Sequence, residues 1–197
     1  MITEDEGTKA VHLARNIIET FLTQGNISNL YQDLPPVFEE KMGVFVTLTY
    51  NRALRGCIGR PYPDIPLKNA IVNSAISAAI DDFRFKPVQI SEMKGIIVEV
   101  TILSKPELLE MLPKNIPLMI EIGKHGLLIK EGKYQGLLLP QVATENKLGV
   151  TDFLIHTCMK AGLKADAWLK GAEVYRFEGQ VFKERVPNGT VYIEKFE

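Results

Sequence analysis

The chain has 197 residues, carries 23 Lys and Arg against 24 Asp and Glu for a formal net charge of −1, and contains 2 cysteines. That balance argues against a broad electrostatic footprint for DNA or RNA, and the cysteine count is too low for a disulfide framework, although a single Cys57–Cys158 bond stays open. With 46% hydrophobic and 24% charged residues, the composition is that of a soluble globular chain long enough for one large domain or two small ones.

The N-terminus, Met1-Ile2-Thr3-Glu4-Asp5-Glu6, is acidic where a signal peptide is basic. No apolar run has the length to span a bilayer, so the expected compartment is the cytoplasm, without a membrane partner. Residues 5–24 read as an amphipathic helix, with Ala10, Leu13, Ala14, Ile17, Ile18 and Phe21 at helical spacing and Gly25-Asn26 as its stop. Asp33-Leu34-Pro35-Pro36 is a rigid connector. Val44–Tyr50 is β-branched and aromatic, a strand, and Asn51-Arg52 turns it into the next segment as a hairpin.

Pro66 suits a first helical turn, with Asp64 as its cap. The helix that follows, Leu67 to Asp81, is rich in small residues and expected to be largely buried. It exits through Asp82-Phe83-Arg84-Phe85-Lys86-Pro87. Gly95–Leu103 is a second strand, with Ile96, Val98, Val100 and Ile102 on one face and Ile97, Glu99, Thr101 and Leu103 on the other. Connectors around Lys105-Pro106-Glu107 and Pro113–Pro117 lead to three apolar runs, Leu118–Ile122, Leu127–Lys130 and Gly136–Leu139, which read as an antiparallel meander. A helix starts near Thr151 and Asp152, turns Leu154, Thr157, Cys158 and Ala161 inward, and ends at Gly162. Val174–Phe177 and Val181–Lys183 flank Glu178-Gly179-Gln180 as a hairpin, and Pro187-Asn188-Gly189 turns into a last strand. Tight turns between strands indicate an α+β fold with mainly antiparallel sheets and a few covering helices.

The chemistry concentrates in Leu54-Arg55-Gly56-Cys57-Ile58-Gly59. In an extended segment Arg55 and Cys57 share a face, with Cβ atoms roughly 6–7 Å apart, while Leu54, Gly56 and Ile58 take the other. A guanidinium there would favour the reactive thiolate, and the flanking glycines allow close approach of a ligand or backbone. Free cysteine is also a small hydrophobe, and strand glycines often mark bulges. A base for the thiol would come from His12, His125, His156, Asp82 or Glu99, and the sequence does not choose among them. Cys158 sits on an apolar helix face and reads as core. His156 and Cys158, two apart on a helix, cannot chelate together, and no Cys-x-x-Cys or His-Glu-x-x-His occurs, so no metal or other cofactor is expected.

These residues carry a resemblance to the AMMECR-type domain family. Its hexapeptide stands here as Leu54–Gly59, preceded by Gly43–Leu48 and followed by Asp82-x-Arg84-Phe85-x-Pro87. Gly123-x-His125-Gly126-Leu127, Leu138–Ala143, Phe153-Leu154, Cys158, Lys160–Leu163 and Ala167-Trp168 complete a match over nearly the whole chain. Many members have a tryptophan where this chain has Lys147-Leu148. The resemblance implies one domain over 1–197 made of two packed α+β subdomains, the larger built from both chain ends. It brings no settled reaction. It implies a functional surface at Arg55, Gly56, Cys57 and Gly59, to which the matched Asp82, Arg84 and His125 are added as binding residues, with Cys57 as nucleophile or redox thiol. The expected partner is a small anionic ligand in a cleft around the hexapeptide. The alternative is a protein-interaction module, docking Memo-like or radical S-adenosylmethionine pathway proteins that occur beside bacterial and archaeal relatives; RNA binding is the weaker third reading.

Overall fold

Thr3 opens the first helix with a capping box: its hydroxyl accepts the Glu6 amide while the Glu6 carboxylate accepts the Thr3 amide. The helix, α1 (Glu4–Gln24), closes at Gly25 in the left-handed conformation, φ 67°. In this computed structural model residues 1–25, 27 and 33–194 are described, and Asn26, half of the expected stop, lies outside them. The chain divides into two units, Met1–Leu103 with Gln180–Lys195, and Ser104–Gly179. No helix among the described residues is long and apolar enough to cross a membrane.

The first unit is built on an antiparallel sheet. β1 (Gly43–Tyr50) and β2 (Ala53–Arg60) form the expected hairpin, with Asn51 and Arg52 at φ 50° and 65°, the pair of positive values a two-residue turn of this hand requires. β3 (Ile96–Leu103) pairs with β1 on its other side, so β2 is an edge strand. Alternation directs Val44, Val46, Leu48, Val98, Val100 and Ile102 to one buried face. Helix α2 (Leu67–Ile80) covers it over β1 and β2, and α1 covers it over β3. Small residues on α2 set the distance: a Cβ added to Gly56 would lie 2.1 Å from the Ala78 carbonyl oxygen. Asp64 does not cap α2; it pairs with Arg60, and the helix starts without a side-chain cap. Arg15, on the inner face of α1, is 2% exposed and forks onto Glu184.

The second unit holds β4 (Glu107–Leu108), β5 (His125–Glu131) and β6 (Tyr134–Leu138). β5 and β6 turn through Gly132 at φ 58°. α3 (Pro140–Glu145) and α4 (Val150–Lys160) pack with them around Leu127, Ile129, Phe153, Leu154, Cys158 and Trp168. Two expectations are corrected. The run Leu118–Ile122 is no strand; a 3₁₀ segment occupies Pro113–Met119, where Pro117 withholds a ladder amide. The hairpin around Glu178-Gly179-Gln180 is instead one strand, β7 (Glu173–Glu184): Gly179 is not in the left-handed region, so no turn forms. β7 pairs with β5 and β4 through its first half, and its second half with β8 (Val191–Glu194). With eight antiparallel strands and covering helices among the described residues the fold is α+β.

Candidate functional site

The register of the β1–β2 hairpin decides where the hexapeptide points. Leu48 pairs with Gly56 and Thr49 with Leu54, which leaves Arg55 as the extra residue of a β-bulge. Strict alternation therefore fails between Leu54 and Gly56. Leu54 joins the face of Cys57, while Gly56 and Ile58 face α2. The expected Arg55–Cys57 couple is replaced by two separate arrangements.

Arg55 reaches away along the sheet edge. Its Nε and Nη2 donate to the two carboxylate oxygens of Glu92 at 2.9 and 3.1 Å, and its Nη1 donates to the Lys86 carbonyl at 2.9 Å. This bidentate fork straps the helix exit to β2. The guanidinium beside the thiol is that of Arg84, not Arg55.

Cys57 is held by its own peptide. As an edge residue it turns its N–H and C=O away from β1, and side chains from the helix exit occupy both. The amide donates to Asp82 Oδ2 at 2.9 Å, and the carbonyl accepts Arg84 Nη2 at 3.3 Å. Arg84 Nε and Nη2 donate to Asp82 at 2.9 and 2.7 Å. The Arg84 guanidinium holds the Asp82 carboxyl far below the usual carboxylate range, against the opposing effect of burial. Phe83, between these two inward side chains, projects outward and is 95% exposed.

A polar row crosses the sheet from the thiol. Thr47 stands opposite Cys57 on one side and Glu99 on the other. The Thr47 hydroxyl donates to Cys57 Sγ at 3.3 Å. Glu99 pairs with Lys183 of β7 at 3.0 Å, and Lys183 lies opposite Tyr192. Thiol, hydroxyl, carboxylate and ammonium thus line up on the face opposite the helices. Glu99 and Lys183 side chains keep only 15% and 24% exposure.

Burial pushes the Cys57 thiol up; the Thr47 hydrogen bond and the Arg84 charge oppose this, and the Glu99 and Asp82 charges add to it. The thiolate expected from a neighbouring guanidinium is therefore not favoured, because desolvation outweighs that charge. Burial also pushes the Glu99 carboxyl up, against the pull of Lys183. Lys183 goes up as well: burial works against its charge, but Glu99 more than compensates.

The glycines are packing residues here. Besides Gly56 against Ala78, a Cβ on Gly59 would lie 2.3 Å from the Phe45 ring. Gly59 also borders a cavity of about 210 Å³ lined by Arg60, Pro61, Tyr62 and Asp64. His125 belongs to the second unit, where its Nδ1 accepts the Glu121 amide at 2.9 Å and its Nε2 lies 3.8 Å from Glu178; burial pushes its pKa down. Cys57 and Cys158 are both free, and Cys158 is core. No group of three or more His, Cys, Asp or Glu among the described residues is placed to hold a metal ion.

Of the bases considered, Glu99 shares the face of Cys57 and Asp82 is committed to its backbone. Thr47 and Lys183 were missed. Thr47 was signalled by its alternation with Val46 and Leu48, whereas Lys183 was hidden by reading β7 as a hairpin.

Chains similar to this one match it over nearly its whole length. A protein of Methanosarcina acetivorans is 60% identical, each chain covered in full, and one of Methanocaldococcus jannaschii is 49% identical over 99% of this chain and 98% of its own. The crystal structure of the uncharacterized protein PH0010 from Pyrococcus horikoshii superposes with a TM-score of 0.87 at 43% identity, covering 99% of both chains. The AMMECR1 family model matches residues 11–182, which takes in the hexapeptide, the Asp82–Arg84 clamp and Lys183's strand up to Phe182, and the chain belongs to that family.

Proposed function

We propose that the first unit binds a small polar molecule on the outer face of its sheet, around Cys57, Thr47, Glu99 and Lys183. The observation that carries this reading is the row itself. Thr47 and Glu99 stand on β1 and β3, whose other face is apolar core, so core packing does not account for a carboxylate and ammonium kept largely from water on this one, and such groups concentrate at sites. Lys183 and Arg84 supply positive charge for an anionic ligand, in place of Arg55. Cys57 enters as a protonated thiol, a contact group first; a nucleophilic or redox role requires that the ligand itself draw the proton away. Two free cysteines suit a reducing compartment, which the cytoplasm provides.

Native-state alkylation tests the reading. Cys57 should react with iodoacetamide while Cys158 stays protected, and small carboxylates or phosphates that raise the Tm of the wild type should lose that effect in Lys183→Met. If Cys57 is as protected as Cys158, its face is closed to ligands and the reading fails.

A second reading, protein docking, is favoured by Phe83. An aromatic ring 95% exposed on a backbone locked by an ion pair has the features of an interface anchor. Memo-like and radical S-adenosylmethionine proteins are the partners to test, by co-elution with wild type and with Phe83→Ala. Equal co-elution, or none with either, removes Phe83 from that role.

A further inference from the structure

The second unit carries a cavity of its own, about 440 Å³, lined by Leu138, Val142, Asn146, Leu148, His156 and Lys160. We propose that it holds a small organic anion with a short aliphatic tail, a monocarboxylate of about six carbons; its volume lies in the range of small-molecule sites. This proposal is independent of the Cys57 row, with which it shares no residue.

The cavity has two kinds of wall. Leu138 ends β6, and Leu148 follows α3; both are partly buried hydrophobics resting on the second core, and Val142 is half-buried beside them. Together they offer an aliphatic surface for a short tail. Opposite in character, His156 and Lys160 stand one turn apart on α4, hence on one side of the helix. The face of α4 that carries Leu154 and Cys158 is spent on the core, so these two side chains are left for the cavity rim. The ion pairs of this unit engage Lys124, His125, Lys170 and Arg176; among the described residues Lys160 joins none of them.

The walls are held in place. Asn146 Nδ2 donates to the Val142 carbonyl at 2.8 Å, and the Leu148 amide donates to the Ala143 carbonyl at 2.9 Å. A Cβ on Gly136 would lie 2.3 Å from the Ala161 nitrogen, so glycine there lets the end of α4 lie directly on β6. One ammonium beside an aliphatic wall matches a single negative charge on an apolar chain. A phosphate is matched better by the forked guanidinium of arginine, and no arginine lines this cavity.

The test is a ¹H–¹⁵N NMR titration of the full chain with hexanoate, acetate and 1-hexanol. Hexanoate should give saturable shifts centred on Leu138, Val142, Asn146 and Lys160. Acetate, lacking the tail, and hexanol, lacking the charge, should each bind at least about tenfold more weakly. Lys160→Gln, at an exposed position, should weaken hexanoate and leave hexanol unchanged, and Leu148→Trp should abolish both by filling the space. The absence of saturable hexanoate shifts overturns the proposal. So does equal binding of hexanoate and hexanol, or a Lys160→Gln variant that binds hexanoate like the wild type.

Discussion

The Asp82 carboxylate accepts the backbone amide of Cys57 at 2.9 Å, and through this contact a helix exit completes the edge of a sheet. Arg84 closes the other half by donating to the Cys57 carbonyl at 3.3 Å. Two side chains thereby do what a neighbouring strand would do, and the edge at Cys57 is closed to further pairing. The Asp-x-Arg spacing is set by a tight turn: the Phe85 amide donates to the Asp82 carbonyl at 3.0 Å and the Arg84 amide to Asp82 Oδ1 at 3.2 Å, which brings both side chains to the one peptide.

Asp82→Ala should lower stability by about 1–3 kcal/mol, because the Cys57 amide and a guanidinium both lose their acceptor. The pH dependence has a definite sign. The folded carboxyl lies below its unfolded value, so its stabilisation is fully present above the ordinary Asp range near ~3.9 and is lost as pH falls through the folded pKa. Thermal melts of wild type and Asp82→Asn should therefore differ most near neutral pH and converge in acid. A gap that stays constant down to the lowest measurable pH rules this origin out.

The Cys57 thiol offers a direct probe of the polar row. Its alkylation rate should rise with a midpoint above that of a model thiol, near ~8.5, since burial disfavours the thiolate. Glu99→Gln removes a nearby negative charge and should move the midpoint down. Arg84→Met removes a positive charge and should move it up. Identical profiles for all three proteins would mean that neither charge is felt at the sulfur.

Much of this was legible in the sequence. The apolar alternation of Val44–Tyr50 and Gly95–Leu103 marked β1 and β3, and Asn51-Arg52 marked the hairpin turn from β1 to β2. The Arg55–Cys57 relation was not legible, because a bulge shifts the register by one residue and leaves no local signature beyond a glycine. β7 was misread for a related reason: Gly179 resembles a turn glycine, and only its two sets of strand partners keep the segment extended. Lys183 could join Glu99 only once that strand was continuous.

Gly56 makes a clean contrast with Gly25. A Cβ at Gly56 would sit 2.1 Å from the backbone carbonyl of Ala78, and a helix carbonyl has no freedom to swing aside. Gly56→Ala should cost about 1–3 kcal/mol as α2 is forced outward, with Cys57 alkylation accelerated as its strand loosens. Gly25, at φ 67° with nothing within 4 Å, is constrained only by its own backbone. Gly25→Ala should cost about 1 kcal/mol and leave Cys57 chemistry untouched. Urea denaturation and alkylation of the two variants separate packing from conformation.

The ion pair between Arg15 and Glu184 is the most deeply buried among the described residues of the first unit, with side-chain exposures of 2% and 0%. Arg15 Nη2 donates to Glu184 Oε2 at 2.7 Å and to the Ile96 carbonyl at 2.6 Å, and the same Glu184 oxygen accepts the Val98 amide at 2.8 Å. The pair therefore fixes α1, β3 and β7 to one another. Glu184→Leu alone leaves the buried guanidinium with only the more exposed Glu19 carboxylate, 2.8 Å away, as counter-charge and should cost about 3 kcal/mol. Arg15→Met combined with Glu184→Leu removes both charges and keeps apolar volume, so it should recover much of that loss even though the Val98 amide stays unpaired. Equilibrium urea unfolding of the two singles and the double closes the cycle. A double variant no more stable than Glu184→Leu would show that the pair acts through its backbone hydrogen bonds, with the charges contributing little.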